Sequence, residues 1–176
     1  MENVVGEHLS FLESFRSLAL IFDLDPPFIE NLIFGTRAYQ KGGIYLNGKQ
    51  EGLWISWYEN GQKYKEGNYV SGKREGLWIS WYENGQKSAE GNYVSGKREG
   101  LWIFWYPNGQ KAEEGIYRNG EKEGLWIDWY LNGQKSSEGN YRNGKREGLW
   151  SYWYLNDQKY LERNYRNGEL LNETIF

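Results

Sequence analysis

The chain has 176 residues, with 24 acidic and 21 basic side chains, a net charge of −3, 18% aromatic residues and no cysteine. Without thiols it can build neither a disulfide framework nor a thiolate metal centre. No run reaches the ~18 apolar residues of a membrane-spanning helix. Residues 1–38 hold six acids (Glu2, Glu7, Glu13, Asp23, Asp25, Glu30) against Arg16 and Arg37, which leaves 18 acids and 19 bases downstream. Balanced, interspersed charge of that kind argues against nucleic acid, whose partners carry a basic stripe. Glu2, Glu7 and Glu13 occupy the place of a signal peptide's basic region, so a cytoplasmic location is expected.

In the first segment, Phe11, Leu12, Phe15, Leu18, Ala19 and Phe22 recur at helical spacing, and with Leu9 they form one apolar stripe. That spacing predicts a helix from about Glu7 to Phe22. Asp25-Pro26-Pro27 reads as an N-cap followed by first-turn proline, opening a shorter helix that ends near Gly35. Residues 1–38 are therefore expected to form a helical N-terminal cap over the first repeat, or a partner-binding segment. His8, the only histidine, has no neighbours that suggest catalysis.

From Tyr39 onward the chain repeats itself. The glycines of Gly-Leu-Trp fall at Gly52, Gly76, Gly100, Gly124 and Gly148, a period of 24 residues without slippage, and all ten tryptophans lie in these units, two in each. A fixed period marks a solenoid-like array in which each unit packs only on its neighbours. Each unit holds two short aromatic and β-branched runs, closed alternately by Asn-Gly and by Ser-Gly or Asn-Gly turns, which are hairpin signals. The expected fold is all-β: an extended, twisted antiparallel hairpin meander over residues 39–171, with residues 172–176 as an edge strand or tail.

Loop length decides which side chains share a face. Pro107 in Tyr106-Pro107-Asn108-Gly109 favours the second position of a type I turn with a left-handed glycine closing it, and hence a three-residue loop. That register pairs Tyr58 with Gln62. It groups Leu53, Ile55, Trp57, Gly67 and Tyr69, with the stems of Lys63 and Lys65, as the expected buried face. Trp54, Ser56, Tyr58, Gln62, Tyr64, Glu66 and Asn68 form the other. In the last unit Asp157, Arg163 and Asn172 replace glycines, as suits a terminal repeat.

Glu66, Glu90, Glu114, Glu138 and Glu162 form one column, and Glu51, Glu75, Glu99, Glu123 and Glu147 another. Adjacent carboxylates ~10 Å apart approach the separation in inverting glycosidases. A catalytic pair, however, needs two unlike environments, and equivalent copies provide the opposite. Cross-strand ion pairing with lysine and arginine is the expected role. No catalytic residue, metal ligand or cofactor site is expected, and an enzyme is not.

Two columns vary between units: Ser56, Ser80, Phe104, Asp128, Tyr152, and Tyr64, Ser88, Ala112, Ser136, Tyr160. Placed beside an unvarying tryptophan, they suggest a recognition face. The candidate interaction surface is Trp54, Trp78, Trp102, Phe104, Trp126, Asp128, Trp150, Tyr152, Tyr64 and Tyr160, with Phe104 and Tyr152 as exposed anchors.

The motif Gly-Leu-Trp-x-x-Trp-Tyr-x-Asn-Gly-Gln-Lys, followed by Glu-Gly-x-Tyr-x-x-Gly-Lys-x-Glu-Gly, resembles the MORN repeat. It is similar in particular to the bacterial MORN-variant type labelled as YwqK-type antitoxins, with similar proteins in large DNA viruses. The resemblance covers residues 39–171 and implies a hairpin array that binds macromolecules and does no chemistry. It implies a protein–protein interaction module or scaffold, whose partner is another protein, a toxin among them, or a second copy. Carbohydrate, cell-wall or membrane-surface binding through the Trp/Tyr rows is the alternative. The near-neutral array departs from what a membrane surface would select.

Overall fold

The computed structural model describes residues 38–40 and 43–176, with side chains from Gly43 onward. Except for Ala38, the expected helical cap lies outside the described residues.

Thirteen strands form one antiparallel sheet. Its first strands are β1 (Ala38–Gln40), β2 (Ile44–Leu46), β3 (Lys49–Tyr58), β4 (Lys63–Val70) and β5 (Lys73–Trp81). They are followed by β6 (Lys87–Val94), β7 (Lys97–Trp105), β8 (Lys111–Arg118) and β9 (Glu121–Trp129). The last are β10 (Lys135–Arg142), β11 (Lys145–Trp153), β12 (Lys159–Arg166) and β13 (Glu169–Ile175). Each strand from β3 to β12 pairs with the next, while β1 and β2 share the position beside β3. At ~4.8 Å per strand the sheet runs on the order of 50 Å. Among the described residues there is no helix and so no second layer.

The two rows of turns differ in length, and one of them is the predicted three-residue loop. At Ser71-Gly72 both φ angles are positive, 52° and 81°, and Val70 pairs directly with Lys73. This is the two-residue turn whose twist matches the strands. At the other end Tyr58 N donates to Gln62 O (2.9 Å) and Gly61 N to Tyr58 O (3.0 Å), with Gly61 at φ 83°. That is the three-residue loop. Pro107 fits it because Gly109 N bonds Tyr106 O at 2.9 Å and the proline position makes no bond in the turn.

The face assignment differs from expectation, and a bulge within the hairpin explains why. Trp57 pairs with Lys63 and Ser56 with Lys65, so Tyr64 is an extra residue on β4. Beyond it Trp54 stands opposite Gly67 and Gly52 opposite Tyr69, while Leu53 faces Asn68 and Ile55 faces Glu66. Gly67 and Tyr69 therefore belong to the Trp54 face. One extra residue exchanges the faces of everything after it. A second bulge lies between units: Gly67 pairs with Trp78 but Asn68 with Glu75, leaving Gly76 (φ 69°) and Leu77 without partners on β4.

Candidate interaction surface

The Trp54 face is closed by its own side chains. Trp54, Trp78, Trp102, Trp126 and Trp150 are only 1–7% exposed. Each indole lies flat on the preceding strand where glycine leaves the backbone bare. A β-carbon at Gly67, Gly91, Gly115 or Gly139 would collide with the ring of Trp78, Trp102, Trp126 or Trp150. The second bulge also leaves a carbonyl to the indole: Trp78 Nε1 donates to Asn68 O, and Trp102 Nε1 to Asn92 O, both at 3.1 Å. Tyrosines stand edge-on between successive indoles. Tyr93 lies 6.1 Å from Trp78 and 5.1 Å from Trp102, with interplanar angles of 81° and 86°. Such edge-to-face pairs contribute beyond their buried area.

Cations roof this row. Arg98 lies 4.7 Å over Trp102 and 5.1 Å over Tyr117, and donates to the Tyr117 hydroxyl at 2.9 Å. Arg74 repeats the arrangement over Trp78 and Tyr93, and Arg146 over Trp150 and Tyr165. In the fourth unit Lys122 takes the role, 3.9 Å over Trp126, and pairs with the buried Glu113. Burial works against the charge on Lys122. Glu113, Tyr141 and Tyr117 outweigh that cost and hold the ammonium above its ordinary range. This cation column is legible in hindsight as the basic residue two before each Gly-Leu-Trp after the first.

A third row, next to the loops, ties unit to unit. The hydroxyl of Tyr58 donates to Trp81 O at 2.8 Å, and Tyr106 and Tyr130 donate to Trp129 O and Trp153 O at 2.7 Å. Asn60 Nδ2 donates to Glu83 O (2.9 Å), Asn84 Nδ2 to Pro107 O (2.7 Å) and Asn108 Nδ2 to Leu131 O (2.8 Å).

The opposite face is open. Leu53, Leu77, Leu101, Leu125 and Leu149 form a row in which each is 51–55% exposed. Beside it isoleucine and glutamate alternate across the strands, as in Ile55, Glu66, Ile79 and Glu90. Further along, Lys63 lies 5.5 Å over the half-buried Trp81 ring and 2.6 Å from Glu66.

The glutamate columns do not make the cross-strand pairs expected of them. Glu66, Glu90, Glu114, Glu138 and Glu162 pair with the lysine three residues earlier on their own strand, at 2.5–2.7 Å. The bulge brings i and i+3 together. Glu51 instead accepts from Ser71 N in the neighbouring turn (2.7 Å), and Glu75, Glu99, Glu123 and Glu147 repeat that bond. Among the described residues no three histidine, aspartate or glutamate side chains gather as metal ligands, and no helix is long and apolar enough to cross a membrane.

The repeating unit matches the MORN repeat variant model five times in succession, at residues 50–71, 74–95, 98–119, 122–143 and 146–174. The chain belongs to the MORN repeat variant family. A comparison with curated proteins finds no significant match. MORN repeats are generally associated with protein- and membrane-interaction modules.

Within this MORN array the residues singled out from sequence lie together on one face, but that face is the packed one. The five tryptophans are core. Phe104, expected as an exposed anchor, is 2% exposed, stacked on Trp102 at 5.8 Å beneath Arg98. Tyr152 is half-buried between Trp150 (6.4 Å) and Tyr160 (6.3 Å), and Arg146 donates to its hydroxyl. Tyr64 packs on Tyr58 at 5.0 Å. Asp128 accepts from Ser137 Oγ at 2.5 Å. The buried indoles leave no ring face in that row for a sugar to stack on. The variable columns sit at the MORN hairpin's own bulge, where sizes compensate: small Ser80, Ser88 and Ala89 in the second unit lie beside large Phe104 in the third, which pairs with Ala89.

Proposed function

We propose that this MORN array is a non-enzymatic interaction module whose platform is the leucine face and whose occupant is an amphipathic helix of a partner protein. The observation that supports the reading is the regular row of half-exposed leucines opposite a face that closes on itself. Leucines on alternate strands stand ~9.6 Å apart, and a helix rises ~10.5 Å in seven residues. A helix laid across the strands thus sets one apolar residue of each heptad beside each leucine, over a row of ~40 Å. Asn68, Asn92 and Asn140 border the leucines and give the rim polar partners.

The test is a photo-crosslinker at position 101, with position 155 in an exposed loop as reference. The expected adduct at 101 is a peptide with apolar residues at three- and four-residue spacing, and it is lost in Leu77→Ser/Leu125→Ser. Absence of adduct, or an adduct peptide without that pattern, overturns the reading. A toxin is one partner covered by it, and co-expression with the neighbouring reading frame tests that case.

A further inference from the structure

The two ends of the aromatic row are finished differently. Tyr165, the last tyrosine, has no following indole, yet it is only 9% exposed. The chain supplies a substitute. Arg163 replaces the strand glycine and pairs at 3.0 Å with Glu173, which stands opposite it on β13. Arg146 closes the top, 5.5 Å over the Tyr165 ring.

Tyr45, the first tyrosine of the row, has Trp54 on one side at 5.1 Å, and it is 66% exposed, with Ile44 and Leu46 exposed beside it. Gln50 stands where later units carry the roofing arginine or lysine. The Trp54 indole N–H turns to Glu51 O on its own strand, whereas later indoles bond the strand before them. Among the described residues the row is therefore sealed at its C-terminal end and unsealed at its N-terminal end.

We propose that the segment upstream of Ala38 is the missing seal, with its apolar side chains covering the outer face of Tyr45 together with Ile44 and Leu46. The segment joins the sheet through β1, on this same edge. Ala38 and Tyr45 are seven residues apart, at most ~23 Å of extended chain, so Phe28 and Phe34 have the reach. Five of the chain's seven phenylalanines (Phe11, Phe15, Phe22, Phe28, Phe34) precede the array. An unsealed edge with exposed apolar residues otherwise invites strand pairing with another chain, and a second copy is the competing occupant.

Tyrosine acetylation by N-acetylimidazole, mapped by mass spectrometry on the full chain, decides between them. Tyr154, 54% exposed, is the internal reference. The expected result is a Tyr45 rate at least about fivefold below that of Tyr154 and independent of protein concentration. Replacing the five upstream phenylalanines by serine raises it to the Tyr154 rate, while near-ultraviolet dichroism of the indoles stays unchanged. Equal rates in the unaltered chain overturn the proposal, whatever the variant does. Protection that fades on dilution assigns the edge to a second copy and overturns it as well, and so does protection that survives the serine substitutions.

Discussion

The two faces of the sheet share one backbone, the same period and an equal number of tryptophans, yet one is a core and the other a surface. On the Trp54 face the rings lie down on glycine and are roofed by Arg74, Arg98, Lys122 and Arg146. On the leucine face there is no glycine to lie on, the side chains stand up, and Leu101 keeps 55% of its surface in solvent. In a single-layer sheet, burial thus follows from room at the backbone and a lid above it, not from hydrophobicity alone.

Substitutions on the two faces should therefore have opposite signatures. Trp102→Ala is expected to cost about 3–5 kcal/mol in denaturant unfolding, a loss large enough to melt the central units. Lys122→Met leaves buried Glu113 without its partner and should cost about 3 kcal/mol. Its pH dependence sharpens the comparison. Because the folded-state pKa of Lys122 is raised, its contribution is fully present below the ordinary lysine value of about 10.4 and is lost as pH rises through the folded value. The unaltered chain should lose stability in that alkaline window, and the Lys122→Met variant should lose less.

Gly91→Ala presses a methyl group into the Trp102 ring and should cost about 1–3 kcal/mol. Gly100→Ala is a useful contrast, since nothing lies near its β-carbon and only the positive φ of 72° resists it. Ser88 Oγ is fully buried with no hydrogen-bond partner, so Ser88→Ala should raise stability by about 1 kcal/mol. Smallest of all, Leu101→Ser should change stability by less than about 0.5 kcal/mol while weakening partner binding. A drop of several kcal/mol there would show the leucine face to be core and end the comparison.

The period, the hairpins and the three-residue loop were all legible in the sequence, because glycine and proline carry those signals locally. The sidedness was not. It depends on the extra residue at the Tyr64, Ser88, Ala112, Ser136 and Tyr160 column, which propensity does not mark. The adjacent small pairs Ser88-Ala89 and Ser136-Ser137 are its only trace, and large residues hide it in Tyr64-Lys65 and Tyr160-Leu161. Variation in that column looked like recognition but is a size balance between neighbouring hairpins. Invariance misled in the same way, since the leucine that never changes is the side chain left in solvent.

The tyrosine hydroxyls that reach the next hairpin's carbonyl give the molecule a growth rule. Each such bond spans 23 residues and joins a unit only to its successor. Cohesion is therefore one-dimensional, a sum of nearest-neighbour links. Duplicating or deleting one 24-residue module changes the length of the platform by two strands and leaves every surviving link intact. Such a gene can lengthen its binding surface by unequal recombination without redesigning its core.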